Sequence, residues 1–334
     1  MTIAFFELEG WEEPMIRETF AGHDLFLTKE KLDPAHLPER NDFEVISVFV
    51  DSRMDETTVD YFPNLKLMTT RSTGYDHINV EAFKRKGVAV AYVPGYGANT
   101  VAEFTFGLIL SLTRKIYRAI DQIKETESFS LQGMRGMDIK GKTLGVIGTG
   151  RIGKEVIKIA KGFGMDVIAY DPMPNNELAG QIGFRYAQLE ELLKHSDIIT
   201  VHCPYTEQNR HLINKENIKS VKKGAYLVNT ARGPIVDTDA LLQALGDGTL
   251  AGVALDVLEE EKEMKEEFSF LSQLRLKPED LKTVIENHIL IKMPNVLITP
   301  HNAFNTQEAM ERILTTTFSS IKGFIEGKPQ NIVP

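Results

Sequence analysis

Short apolar runs alternate along this chain with longer stretches whose apolar residues recur at helical spacing. In the first part of the chain, Ile3–Phe6, Asp24–Leu27, Val45–Val50, Leu67–Thr70 and Val88–Val93 predict strands, with polar or helix-forming segments between them. A second set follows at Thr143–Ile147, Asp166–Tyr170, Asp197–His202, Ala225–Asn229, Gly252–Val257 and Val296–Thr299. Most of these are continuously apolar, as strands covered on both faces should be. Strand alternating with helix predicts an α/β fold with mostly parallel sheets. At 334 residues, two domains are the natural expectation.

Between the two sets, Pro94-Gly95-Tyr96-Gly97 breaks the pattern. Asn99 or Thr100 is placed to cap a long helix, with Glu103 at capping-box distance from Thr100. That helix is predicted to run to about Ile123, and Gly133-Met134-Arg135-Gly136 reads as a loop. Segment 259–294 is rich in Glu and Lys, with a helix-like stretch near Pro278–Glu286.

Charge and cysteine narrow the function classes. The formal charge is −9, without a basic stripe, which argues against nucleic acid as partner. Cys203 is the one cysteine, so no intrachain disulfide can form, in keeping with a reducing, cytoplasmic setting. The N-terminal residues lack the pattern of a signal peptide. The longest apolar stretch, around Phe104–Leu112, is too short to span a bilayer, so no membrane partner is expected.

The strongest chemical signal is Gly148-Thr149-Gly150-Arg151-Ile152-Gly153, directly after the strand Thr143–Ile147. A helix follows, with Ile152, Val156, Ile159 and Phe163 read as one face, and then a strand ending in Asp171. Gly148 permits a tight turn, Gly150 lets a pyrophosphate approach the backbone, and Gly153 lets helix and strand pack closely. The helix N-terminus offers N–H groups and a positive dipole end to phosphate. Asp171 can accept hydrogen bonds from both ribose hydroxyls, and its charge would repel a 2′-phosphate. The pattern predicts a dinucleotide site selective for NAD over NADP.

Three polar residues stand at or beyond carboxyl ends of strands in the second set, where open α/β sheets bind ligands. Arg232 follows Ala225–Asn229, Glu261 follows Gly252–Val257, and His301 follows Val296–Thr299. An arginine can grip a carboxylate with two parallel N–H bonds. A histidine can exchange a proton with an alkoxide, and a carboxylate on its other ring nitrogen favours the charged ring. Read without further context, Glu261 could as well belong to a solvated run of charge, Glu259 to Glu263. Together the three residues suit a 2-keto acid as substrate, with no metal called for.

At these motifs the sequence resembles the D-isomer-specific 2-hydroxyacid dehydrogenases, over nearly its whole length. The likeness rests on Arg71-Ser72-Thr73-Gly74-Tyr75-Asp76, Tyr96-Gly97-Ala98-Asn99-Thr100-Val101-Ala102-Glu103, Gly145–Gly153, Asn229–Asp237, Leu255-Asp256-Val257 and Thr299-Pro300-His301-Asn302-Ala303-Phe304. It implies that Arg232, Glu261 and His301 are the catalytic three. It also implies a Rossmann-type doubly wound parallel sheet for NAD, residues 99–299, inserted into a smaller flavodoxin-like α/β substrate domain, residues 1–98 and 300–334. The active site is expected in the cleft, and a homodimer is expected through the NAD domain.

The resemblance further implies backbone N–H groups of Thr73 and Gly74 as a cradle for the substrate carboxylate. It places Asp256 against the nicotinamide carboxamide, and Cys203 and Pro204 beside the adenosine. Asn209, Thr230, Ala231, Ala303, Arg151 and Ile152 join the cofactor contacts. Tyr96 and Phe304 are expected to close the pocket over a small side chain, as in family members acting on D-lactate. Pyruvate and D-lactate are therefore the leading pair, with glyoxylate or hydroxypyruvate as alternatives. An NAD-sensing corepressor-like binding protein is the alternative from another class. Glu261 and His301 lie further apart than is usual in the family, and the extra acidic length is expected to be a helical surface excursion.

Overall fold

The computed structural model describes residues 1–261 and 278–334 and divides into two compact units, Met1–Tyr96 with Asn305–Pro334, and Gly97–Phe304. The predicted acidic excursion lies largely outside the described residues.

In the first unit, β1 (Thr2–Phe5), β2 (Asp24–Leu27), β3 (Val45–Val48), β4 (Leu67–Thr70) and β5 (Ala89–Ala91) form one parallel sheet in the order β2-β1-β3-β4-β5. This is the flavodoxin-like order. Side chains alternate between its faces. Ala4, Ile46, Val48, Met68 and Val90 pack on one side with Phe43, Phe62 and Phe83. Ile3, Phe5, Val45, Leu67 and Ala91 pack on the other, against Ile16 and Phe20 and against Leu314, Phe318 and Ile321 of the helix Gln307–Ile325. That second face explains why the end of the chain returns to this unit: its apolar stripe completes the cover of the sheet. Arg71, just past β4, is buried. Its guanidinium donates to the carbonyls of Phe6 and Glu7 and faces the buried Glu12.

The second unit holds β6 (Thr143–Ile147), β7 (Asp166–Tyr170), β8 (Arg185–Tyr186), β9 (Ile198–Val201), β10 (Ala225–Asn229), β11 (Leu250–Leu255) and β12 (Val296–Ile298). Their order is β12-β11-β10-β9-β6-β7-β8, all parallel. Read from β8, this is the doubly wound dinucleotide-binding order with one further strand, and the order reverses between β6 and β9.

Three sequence expectations change here. First, the long helix is two: Ala98–Thr113 and Ile116–Thr126. The first begins after Gly97, so Thr100 lies inside it, while Asn99 bonds Glu103 along its surface. Lys115 turns left-handed at the break (φ 54°), where Met137 donates to the Thr113 carbonyl and the Lys115 ammonium to that of Gly133. Second, β8 is a strand the pattern did not show. Third, the helix Arg151–Gly162 buries Gly153, Val156, Ile157 and Ala160, while Ile152 and Ile159 are half-buried. Phe163 lies outside that face, stacked on Phe106 at 5.3 Å. Small residues at 153 and 160 let the helix sit close to its neighbours, which the larger side chains of the expected face would not.

Candidate active site

The dinucleotide turn joins β6 to the helix Arg151–Gly162 at the carboxyl end of the sheet, beside the point where strand order reverses. Gly148 has φ +92°, and a Cβ there would lie 2.6 Å from the Cys203 backbone nitrogen. A Cβ on Gly153 would lie 2.0 Å from the Gly148 carbonyl oxygen. Both positions therefore require glycine on steric grounds. A Cβ on Gly150 would meet nothing within 4 Å, so the backbone there faces open space. No side chain caps this helix. Its first N–H groups are positioned as an anion site would have them, with exposed Arg151 and half-buried Ile152 alongside.

Asp171 is half-buried just past β7. Its Oδ2 accepts from the Thr149 N–H (2.7 Å) and the Thr149 hydroxyl (2.9 Å), and Oδ1 accepts from the Met173 N–H. Burial opposes its charge, but these donors outweigh burial and hold the carboxyl below its usual range.

The three catalytic candidates sit past neighbouring strands. Asn229, Leu255 and Ile298 are in register across β10, β11 and β12, and Arg232, Glu261 and His301 follow them in the segments after these strands. The His301 Nδ1 lies 3.3 Å from a Glu261 carboxylate oxygen. His301 adopts a left-handed backbone (φ 52°), unusual for a side-chain-bearing residue and common where a site fixes geometry. Its N–H reaches the carbonyls of Asp256 and Thr299. The Phe304 ring stands edge-on to the imidazole, with centroids 6.4 Å apart.

Asp256 anchors this loop. Its carboxylate accepts from the Thr299 hydroxyl and from the N–H groups of Asn302 and Ala303 (2.8 Å each). These bonds tie residues 299–303 to the second unit, so the division falls after Phe304 where the sequence suggested residue 300. Burial raises the Asp256 carboxyl above its ordinary range despite those donors.

Arg232 is half-buried and donates to the Ala231 carbonyl. A Cβ on the next residue, Gly233, would lie 2.1 Å from the Leu258 carbonyl, so the loops after β10 and β11 pack backbone to backbone. Thr230 is buried and shares a hydroxyl contact with Thr105, while the Ala231 N–H bonds Asn229. Asn209 staples its own loop, donating to the Pro204 carbonyl and accepting from the Thr206 N–H. Cys203 is half-buried, and burial pushes its thiol up to about 11, unsuited to a nucleophile at neutral pH.

Thr73, Gly74 and Tyr96 belong to the first unit. The Thr73 hydroxyl donates to the Val93 carbonyl, and the Ser72 hydroxyl to that of Gly74. The half-buried Tyr96 accepts from the Arg312 guanidinium at its carbonyl.

Residues 106–303 match the family model described as the D-isomer specific 2-hydroxyacid dehydrogenase, NAD binding domain. The chain belongs to the D-isomer-specific 2-hydroxyacid dehydrogenases. A 2-hydroxyacid dehydrogenase homolog of Zymomonas mobilis is 37% identical, over 98% of this chain and 98% of its own. An aromatic 2-oxoacid reductase of Clostridium sporogenes is 36% identical, over 91% of this chain and 89% of its own. The solved D-lactate dehydrogenase of Aquifex aeolicus, complexed with NAD and lactic acid, superposes with a TM-score of 0.84. It shares 36% identity and covers 98% of this chain and 96% of that one. As a member of this family, the protein is an NAD-dependent oxidoreductase acting on 2-hydroxy acids. The turn at Gly148–Gly153 and the open backbone at Gly150 suit NAD.

Sequence reading missed Glu259. Among Glu259, Glu260 and Glu261 it is the buried one, at 5% exposure. Its carboxylate holds His211 at 2.8 Å, Arg210 at 3.3 Å and the Thr238 hydroxyl, while Asn287 donates to its carbonyl. Two residues before Glu261, it pins the start of that loop. An acidic run carries no periodic signal that would single it out.

Proposed function

We propose that this enzyme interconverts pyruvate and D-lactate, with Arg232, Glu261 and His301 as its catalytic residues. The pairing of His301 with Glu261, in the segments past adjacent strands, carries the reading. Glu261 engages Nδ1, so proton exchange with the substrate oxygen falls to Nε2. The Arg232 fork holds the substrate carboxylate and polarises the carbonyl. When bound, the nicotinamide supplies or takes up the hydride. The N–H groups of Thr73 and Gly74 are proposed for the carboxylate, and Tyr96 for the pocket, on the strength of the family resemblance. The remaining cofactor contacts, including Asp256, Cys203, Pro204 and Asn209, rest on the same resemblance. An aromatic ring beside the proton donor, Phe304 on His301, supports a small substrate side chain such as a methyl group.

A homodimer formed through the second unit belongs to this reading. The helix Ile116–Thr126 leaves Ile116, Ile120 and Ile123 exposed at i, i+4 and i+7, and Phe129 and Leu131 are more than 80% exposed just beyond it. An apolar stripe of this kind is unusual on a surface that stays in water.

Reduction requires a protonated His301 and oxidation a neutral one. Glu261→Gln keeps an acceptor but removes the charge beside Nδ1, and should lower kcat with NADH affinity nearly unchanged. His301→Gln should lower kcat by about 10²–10⁴-fold with NADH affinity nearly unchanged. A Glu261→Gln enzyme with wild-type kcat would assign Glu261 to the solvated charge run instead.

A further inference from the structure

The short edge strand β8 has a consequence for cofactor choice. Tyr186 pairs with Ala169 across the β7–β8 ladder, two residues before Asp171, and its ring packs edge-on to Phe184. This puts its hydroxyl 2.9 Å from the Thr149 hydroxyl in the dinucleotide turn. Thr149 is 6% exposed and its hydroxyl lies 2.9 Å from Asp171 Oδ2.

Proton bookkeeping fixes the direction of this chain. An ionised carboxylate only accepts, so the single hydroxyl proton of Thr149 goes to Asp171. In the other contact Thr149 can then only accept, so Tyr186 must donate. The sequence is Tyr186 O–H to Thr149 O–H to the Asp171 carboxylate, each bond polarising the next. The Thr149 N–H donates to the same Oδ2. Three donors therefore converge on one side of the nucleotide turn, two directly and one through a relay, and their effect is to hold a negative charge in a fixed orientation.

We propose that Thr149 and Tyr186 are positioning residues that orient Asp171 and thereby set the preference for NAD over NADP. The inference rests on the reading of Asp171 as the acceptor for the ribose hydroxyls. A well-held carboxylate presents its remaining lone pairs to two hydroxyl donors and repels a 2′-phosphate. A loosened one does both less well. Neither Thr149 nor Tyr186 needs to touch the cofactor for this effect.

The test is direct binding of NADH and NADPH to the full chain, followed by nucleotide fluorescence, with thermal unfolding of each variant recorded in parallel. Thr149→Val should weaken NADH binding roughly three- to tenfold and change NADPH binding much less. Tyr186→Phe should act in the same direction, by about two- to threefold. Thr149→Ser keeps the hydroxyl and should restore most of the preference. Because Tyr186 acts only through Thr149, adding Tyr186→Phe to Thr149→Val should cost nothing more. Losses that multiply in the double variant would overturn the relay. An unchanged NADH-to-NADPH ratio in both single variants, with Asp171→Ala collapsing it, would also overturn the relay while leaving Asp171 as the ribose acceptor. If Asp171→Ala itself leaves the ratio unchanged, the ribose reading falls and the relay with it.

Discussion

At the residue scale, the chemistry depends on which of several similar side chains is held where. The run Glu259-Glu260-Glu261 reads as uniform charge, yet Glu259 is buried on His211 and Arg210 while Glu261 faces His301. The positions of Arg232, Glu261 and His301 beyond apolar strands could be read from the sequence, but spacing alone left Glu261 within a run of charge, and the family resemblance singled it out. The support beneath the three was not legible. Asp256 holding the His301 loop, and Glu259 pinning the start of the Glu261 loop, depend on tertiary contacts with no sequence period. Arg232 offers the sharpest single-residue prediction. A planar fork can bind a carboxylate through two parallel bonds, and an ammonium cannot. Arg232→Lys should therefore lose about 10- to 100-fold in kcat/KM for the keto acid, with NADH binding retained. Steady-state kinetics beside NADH titration would check this, and a lysine variant near wild-type efficiency would make Arg232 structural.

At the scale of elements, strands of continuous apolar residues were the clearest feature of the sequence, because burial on both faces leaves few polar positions. Elements decided by contact rather than by period were not visible. With only Arg185 and Tyr186, β8 is too short to show a repeat. The break at Lys115 is stabilised by a loop some twenty residues further on, which no local propensity encodes. The dinucleotide turn lies at the other extreme: its glycines are dictated by backbone approach and stand out in the sequence. Gly153→Ala would place a methyl 2.0 Å from the Gly148 carbonyl oxygen. Relieving that clash means separating helix from strand, at a cost of about 1–3 kcal/mol. The variant should unfold at lower denaturant and bind NADH poorly. Gly162→Ala, where a Cβ meets nothing within 4 Å, is the control and should change neither.

At the scale of the whole molecule, the sheet of the first unit is completed by a distant part of the chain. The first unit needs the helix Gln307–Ile325 to cover one face, so the NAD-binding unit is an insertion within a split partner. The stripe of Ile116, Ile120 and Ile123 gives the proposed dimer a specific test. Ile120→Glu should shift the protein toward monomer in sedimentation velocity, because a charge placed in an apolar interface is left without a partner. An unchanged sedimentation coefficient would contradict a dimer formed through this stripe. The proposed activity on pyruvate and D-lactate can be measured by NADH oxidation across pyruvate, glyoxylate, hydroxypyruvate and phenylpyruvate, with chiral analysis of the product. Pyruvate should give the highest kcat/KM, with D-lactate as the product. Greater efficiency with phenylpyruvate or glyoxylate, or formation of L-lactate, would contradict the proposal.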